Sequence, residues 1–155
     1  MALAAIALGS NLGDRAATLA SAIRALAVCG EVIAISNNFD TDPVGYADQP
    51  RFLNAAAILD TPMSPLDLLH ALLQIELEHG RDRSHGILKG PRTLDLDLLL
   101  YDHVVIATPE LMLPHPQMHV RRFVLQPLAE IAPAMMHPLL GRTVAQMLAD
   151  SDTAV

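Results

Sequence analysis

The chain has 155 residues, 52% of them apolar, and a formal net charge of -7. This is enough for one domain, 1–155, with a sizeable core, and the acidic balance excludes a general binder of nucleic acid or anionic membrane, which needs a broad basic surface. No apolar run approaches a membrane span, the alanine-rich start lacks a basic leader, and the single Cys29 cannot close an internal disulfide, so a soluble, cytoplasmic, monomeric protein is expected.

Leu3 to Leu8 reads as a buried strand stopped by the loop signal Gly9-Ser10-Asn11. From Asp14 to Ala27, Leu19, Ile23 and Leu26 recur at helical spacing, with Asp14 as a cap and Gly30 as a stop. Cys29 is then a small hydrophobe near a helix end. Val32 to Phe39 reads as a second strand, and the stretch from Thr41 to Pro50 carries too many turn residues for regular structure. Phe52 to Leu59 is a third strand whose alternation puts Phe52, Asn54 and Ala56 on one face. A ring beside an amide suits a planar heterocycle, the ring covering a face and the amide reading an edge; Phe52 in the core with Asn54 capping a turn fits the same residues. Ser64-Pro65 opens a helix with Leu66, Leu69, Leu72, Leu73 and Ile75 as its buried face, Glu76 late in it and Gly80 at its end.

Arg81 to Lys89 has little to pack and is expected to be mobile. Leu94, Leu96, Leu98, Leu99, Leu100 and Tyr101 then have the density of a buried strand, interrupted by Asp95 and Asp97 two residues apart. Side chains two apart on a strand share a face, so the carboxylates are neighbours. Like charges held on an apolar strand call for compensation, and a hard divalent cation is the usual form; solvated acids on an exposed strand face are the alternative. Gly90-Pro91-Arg92 just before them delivers a guanidinium, an arrangement suited to a metal-bound phosphate. Arg81, Arg83, Lys89 and Arg92 lie within a dozen positions, and Arg121 and Arg122 are adjacent. An acidic chain that concentrates its cations in this way fits a compact anion, although solvated helix-flanking charge fits too. Asp102-His103 reads as a turn and Val104 to Ile106 as a short return strand. Pro109 to Pro116 is irregular, with His115 held between two prolines. Helical spacing then runs through Leu125, Leu128 and Ile131, and a last helix covers Thr143 to Ala149. The order strand, helix, strand, strand, helix, strand is the ferredoxin-like split βαβ pattern, an α+β fold, with the first and fourth strands expected parallel at its centre.

Five fragments in register carry a resemblance: Ile6 to Asp14, Asp48-Gln49-Pro50 with Phe52-Leu53-Asn54-Ala55, Gly90 to Asp97, Pro114-His115-Pro116, and Arg121-Arg122-Phe123. With them the chain resembles the 6-hydroxymethyl-7,8-dihydropterin pyrophosphokinases, which transfer pyrophosphate from ATP to a pterin alcohol in folate biosynthesis. The resemblance implies the same α+β fold, two magnesium ions on Asp95 and Asp97, and ATP contacts from Glu76, Arg92, Leu98, His115 and Arg121. It implies a pterin pocket of Thr41, Val44, Phe52, Asn54 and Phe123, and catalytic charge from Arg81, Arg83 and Arg92 on a loop that closes over the phosphates. Where known members have an aromatic before Gly-Pro-Arg, this chain has Lys89, and Glu110 and Met112 replace a basic and a hydroxyl side chain. A binding module without catalysis would share the acids and arginines but has no use for Phe52 and Asn54. A metal-dependent phosphohydrolase would use the same acids with water as nucleophile.

An aromatic at position 89 can cover a flat ligand, whereas Lys89 offers an aliphatic stem and a charge. Hydrogen exchange across residues 81–92 should therefore slow when a non-hydrolysable ATP analogue and the pterin are both bound, and Lys89→Trp should slow product release further. Equal exchange with and without ligands would remove the closing loop from the scheme.

Overall fold

A computed structural model describes residues 1–11, 13–41, 51–80 and 94–153. The elements run β1 (Ala2–Ser10), α1 (Arg15–Ala25), β2 (Glu31–Ile35), β3 (Phe39–Thr41), β4 (Phe52–Thr61), α2 (Pro65–Glu78), β5 (Asp95–Tyr101), β6 (Ile106–Ala107), β7 (Met112–Leu113), α3 (Arg122–Ile131), β8 (Met136–His137), β9 (Arg142–Thr143) and α4 (Val144–Thr153). The main sheet has the order β2-β4-β1-β5, with β3 also pairing β4. This is the α+β arrangement expected, with one correction. β1 pairs both neighbours antiparallel, and its central partner is β4, whereas β5 lies at the sheet edge. The helix between β4 and β5 returns the chain parallel to β4 and hence antiparallel to β1, so the expected parallel central pair does not form.

Alternation along the strands divides the core in two. Ala4, Ile6 and Leu8 of β1, Ala55, Ala57 and Leu59 of β4, and Leu96 and Leu98 of β5 face α1 and α2, where Leu19, Leu68, Leu72 and Ile75 meet them. Ala5, Ala56 and Ile58 face the other way, onto Val124, Leu125 and Leu128 of α3 and Val144 and Met147 of α4. A register shift opposite Ala5 and Ile6 makes Leu99 an extra residue in β5, so Leu99 and Leu100 both join the α3 side. The bulge lies beyond Asp95 and Asp97 and leaves their alternation intact.

Local chemistry fixes the ends. Asp14 accepts from the Ala17 N–H at 3.1 Å and Ser64 from the Asp67 N–H at 3.2 Å, capping α1 and α2. Thr143 and Gln146 bond each other's main chain in a capping box at α4. The strand expected over Val32 to Phe39 divides around Ser36 and Asn37, where side chains enter the bonding, one taking an N–H of β4 and one taking the strand's own. Ser36 Oγ accepts from the Ala56 N–H at 2.8 Å and Glu130 from the Asn37 N–H at 2.7 Å. The buried face of α2 is Leu68, Leu72, Ile75 and Glu76, while Leu66 and Leu73 are exposed. The return strand is Ile106–Ala107, pairing Met112–Leu113. Cys29 is buried as expected, and burial pushes its thiol pKa up. No helix among the described residues is long and apolar enough to cross a membrane.

Gly30 sits where the chain enters β2 beneath the end of β4. A Cβ there would lie 2.3 Å from the Asp60 carbonyl oxygen and 2.9 Å from Thr61 Cα, backbone atoms that cannot yield, whereas one at Gly141 meets nothing within 4 Å. Gly30→Ala should therefore cost about 3 kcal/mol or more, against about 1–2 kcal/mol for Gly141→Ala from its positive φ alone. Urea unfolding of the two variants checks this, and equal losses would show that the β2–β4 approach relaxes.

Candidate active site

Two cross-strand rows form a floor on the α3 side of the sheet. Gly9 of β1 lies between Asn54 of β4 and Asp95 of β5, and Ala7 lies between Ala56 and Asp97. The central strand carries almost no side chain in these rows, so a cavity of about 230 Å³ opens above it. Among the described residues, Thr41, Phe52 and Asn54 line one side, Asp95 and Asp97 the other, and Arg121, Phe123 and Val124 come from the start of α3. Gly9 leaves the Asn54 amide its room here, since a Cβ would stand 3.2 Å from Asn54 Oδ1, close enough to push on it, and 3.8 Å from the Phe52 ring.

The Asn54 amide is buried, and its Nδ2 donates to Thr41 Oγ1 at 2.5 Å. That bond fixes which way the amide points and leaves Oδ1 over Gly9. At the acidic end, Asp97 Oδ1 is 3.9 Å from His115 Nε2. His115 is held from two sides: its N–H donates to the Leu99 carbonyl at 2.9 Å, and its Nδ1 accepts from the Gln117 N–H at 3.2 Å. Burial pushes the His115 pKa down, Asp97 pulls it back up, Arg121 lowers it and Asp95 raises it, with a net shift downward. With Nδ1 accepting, the neutral ring carries its proton on Nε2, toward Asp97. Arg121 donates to Gln117 Oε1 at 2.6 Å, and its guanidinium carbon lies 5.8 Å from the Phe123 ring centroid.

The structure thus brings Thr41, Phe52, Asn54, Phe123, Asp95, Asp97 and Arg121 to one cavity, with His115 at its acidic rim. Glu76 and Leu98 are elsewhere. Glu76 is 2% exposed on α2 and accepts from the Leu96 N–H at 2.7 Å, tying α2 to the edge of β5. The Leu98 side chain belongs to the α1–α2 core, away from the cavity, and its main chain lies at the sheet edge. Val44, Arg81, Arg83, Lys89 and Arg92 lie outside the described residues. Glu110 pairs with His70 of α2, and Met112 is half exposed on β7. Sequence reasoning missed the part played by Gly9, assigning it to a loop, although Ala7 and Gly9 are small residues two apart on one face of the strand. It also missed Gln117, for which no sequence signal stands out.

Residues 5–133 match the family described as 7,8-dihydro-6-hydroxymethylpterin-pyrophosphokinase. The chain is similar to the 2-amino-4-hydroxy-6-hydroxymethyldihydropteridine pyrophosphokinase of Pseudomonas aeruginosa, at 47% identity over 146 residues, 93% of this chain and 88% of that one. It is similar to the like-named proteins of Bacillus subtilis, 48% identical with 83% and 77% covered, and of Methylorubrum extorquens, 44% identical with 98% and 95% covered. Among solved structures it matches Plasmodium falciparum HPPK-DHPS with a TM-score of 0.75. At 16% identity, and with 96% of this chain spanning 42% of that one, this likeness carries the fold alone. The family match over most of the chain, and relatives of this identity and coverage, show that the chain belongs to the 7,8-dihydro-6-hydroxymethylpterin-pyrophosphokinase family.

Proposed function

We propose that the cavity above Gly9 is where this chain carries out its family's reaction, with the heterocycle between Phe52 and Phe123 and the ATP phosphates beside Asp95 and Asp97. The chain is a pyrophosphokinase of folate biosynthesis that takes ATP as co-substrate. The observation that carries the site assignment is that Asn54 and Asp95 flank one glycine in the same cross-strand row. A heterocycle on the amide therefore lies within a strand spacing or two of anything held by the carboxylates.

In the reaction the pterin hydroxymethyl oxygen bonds to the β-phosphorus of ATP. The bond from that phosphorus to the oxygen bridging to the α-phosphate breaks, and AMP leaves with the bridging oxygen. The hydroxyl proton passes to solvent or a phosphate oxygen, and no side chain here is assigned as its base. Such transfers depend mainly on alignment and charge neutralisation. Phe52 and Phe123 would hold the ring by its faces, and Asn54, its amide fixed by Thr41, would read an edge. Arg121, whose guanidinium lies over Phe123, would orient a phosphate. His115, kept neutral, would offer its Nε2–H beside Asp97. The Leu98 main chain, on an edge anchored by Glu76, would meet the nucleoside. Arg81, Arg83, Arg92 and Val44 keep the parts that the sequence resemblance gives them.

Asp95 and Asp97 fit magnesium. They offer hard oxygens on one face, and Asp97 is 38% exposed so that water and phosphate oxygens can reach it. Few protein ligands completed by water and phosphate is magnesium's usual mode in such sites. Two bound ions would supply charge neutralisation and polarisation at the phosphates. A monomer working in the cytoplasm, where ATP is supplied, completes the proposal.

Asp97→Ala should lower AMP release at least about 100-fold while leaving circular dichroism and the melting midpoint near the parent values, since it removes a metal ligand and relieves carboxylate repulsion. Normal turnover in the folded variant would sink the metal assignment. Asn54→Ala should weaken the pterin by about 1–3 kcal/mol and ATP hardly at all, because heterocycle edge groups are left buried without partners. Titration calorimetry with each ligand separates these effects. AMP formed without the pterin would favour water as the acceptor.

A further inference from the structure

The walls of the cavity on the heterocycle side rest on β3, which is only three residues long and pairs Phe39, Asp40 and Thr41 with Asn54, Leu53 and Phe52. A strand this short does not hold its own position. Thr41 faces the cavity, so by alternation Asp40 points to the other side of the sheet, toward the start of α1. There Arg15, the first residue of α1, donates through Nη1 and Nη2 to the two Asp40 oxygens, each at 3.2 Å, and Nη1 also donates to the Arg51 carbonyl at 2.9 Å. Arg51 donates from Nε to Asp40 Oδ1 at 3.1 Å and from Nη2 to the Asp40 carbonyl at 3.2 Å. The hydrogen bonds from Arg15, then those from Arg51, hold the Asp40 carboxyl below its usual range.

The arrangement has a direction. Asp40 precedes Thr41 on β3 and Arg51 precedes Phe52 on β4, so the cluster grips the chain one residue before each of two facing pocket walls. We propose that Asp40 is a positioning residue for the heterocycle: clamped between Arg15 and Arg51, it holds β3 against β4 so that Thr41 keeps the Asn54 amide in one orientation. The inference rests on the assignment of the Thr41, Phe52 and Asn54 side of the cavity to the pterin. Asp40 itself does not line the cavity. Surface ion pairs add little to global stability, so a role in positioning separates cleanly from a role in folding.

The test is steady-state AMP release with each substrate varied at saturating concentration of the other, together with melting midpoints, for Asp40→Asn, Asp40→Glu and Arg15→Gln, and for Thr41→Val and Asn54→Ala as pocket references. Asp40→Asn keeps the shape and loses the two-pronged acceptor. It should raise KM for the pterin about 5- to 10-fold, with KM for ATP within about twofold and a small change in melting midpoint. Asp40→Glu should recover most of the loss, and Asp40→Asn combined with Arg15→Gln should cost less than the sum of the two, because the variants share the Arg15–Asp40 contact. An unchanged pterin KM in Asp40→Asn, alongside a raised one in Thr41→Val and Asn54→Ala, overturns the inference and leaves the pocket reading standing. Unchanged pterin KM in all of these variants overturns the pocket reading and the inference with it. A parallel rise in both KM values with a large drop in melting midpoint and no recovery in Asp40→Glu assigns Asp40 to folding instead.

Discussion

The antiparallel register of β4, β1 and β5 is the constraint on which the rest depends. Because β1 lies in the middle, a single residue of it sets the position of a residue on each neighbour, and Gly9 does so for Asn54 and Asp95. A slip of one residue on either side would turn Asn54 or the carboxylates into the α1–α2 core. That core opposes such a slip. Ile6 and Leu8, Ala57 and Leu59, and Leu96 and Leu98 are buried on the opposite face and reach their partners only in this register. The apolar face of the sheet therefore determines where the polar residues of the other face meet.

Electrostatics follows from that geometry. Two carboxylates on one edge strand face a histidine that burial keeps neutral and an arginine partly engaged by Gln117 and stacked on Phe123. A protonated His115 beside Asp97 would offset the negative potential that draws a divalent cation, whereas a neutral one leaves it in place. Glu76 keeps a third carboxylate out of the cavity by spending it on the Leu96 N–H, on the far side of the strand. This also accounts for a buried acid in a helix otherwise sealed by Leu68, Leu72 and Ile75.

Much of this was legible in the sequence, for a reason that separates one class of feature from another. Period-two alternation identified the shared face of Asp95 and Asp97 and that of Phe52, Asn54 and Ala56, because a strand of either orientation alternates in the same way. Direction is a different matter. Alternation says nothing about which neighbour a strand pairs or whether it runs parallel, which is why β5 was expected at the centre. The break between β2 and β3 was hidden because it comes from side chains that bond to backbone far away in sequence, Ser36 to Ala56 and Glu130 to Asn37. The face of α2 was misjudged where leucines stand all round the helix, and burial chose Leu68 and Glu76 over Leu66 and Leu73. Leu98 shows the reverse case: a position implied by likeness, whose side chain the alternation of its own strand turns away from the acids.

The site also divides by the kind of element that supplies each part. Its floor lies on long ladders, nine paired positions between β1 and β4, and inherits their rigidity. Its walls come from β3 with three residues and from the first turn of α3, which cannot hold a geometry by ladder pairing alone. Such walls need side-chain ties, and the structure supplies one to each: the Arg15, Asp40 and Arg51 cluster for β3, and the Gln117 to Arg121 bond for the entry to α3. Both ties are polar and partly exposed, so they add little to the stability of the fold. Their effect is local, on the few tenths of an ångström that decide whether a hydroxyl, an amide and a guanidinium meet a ligand together.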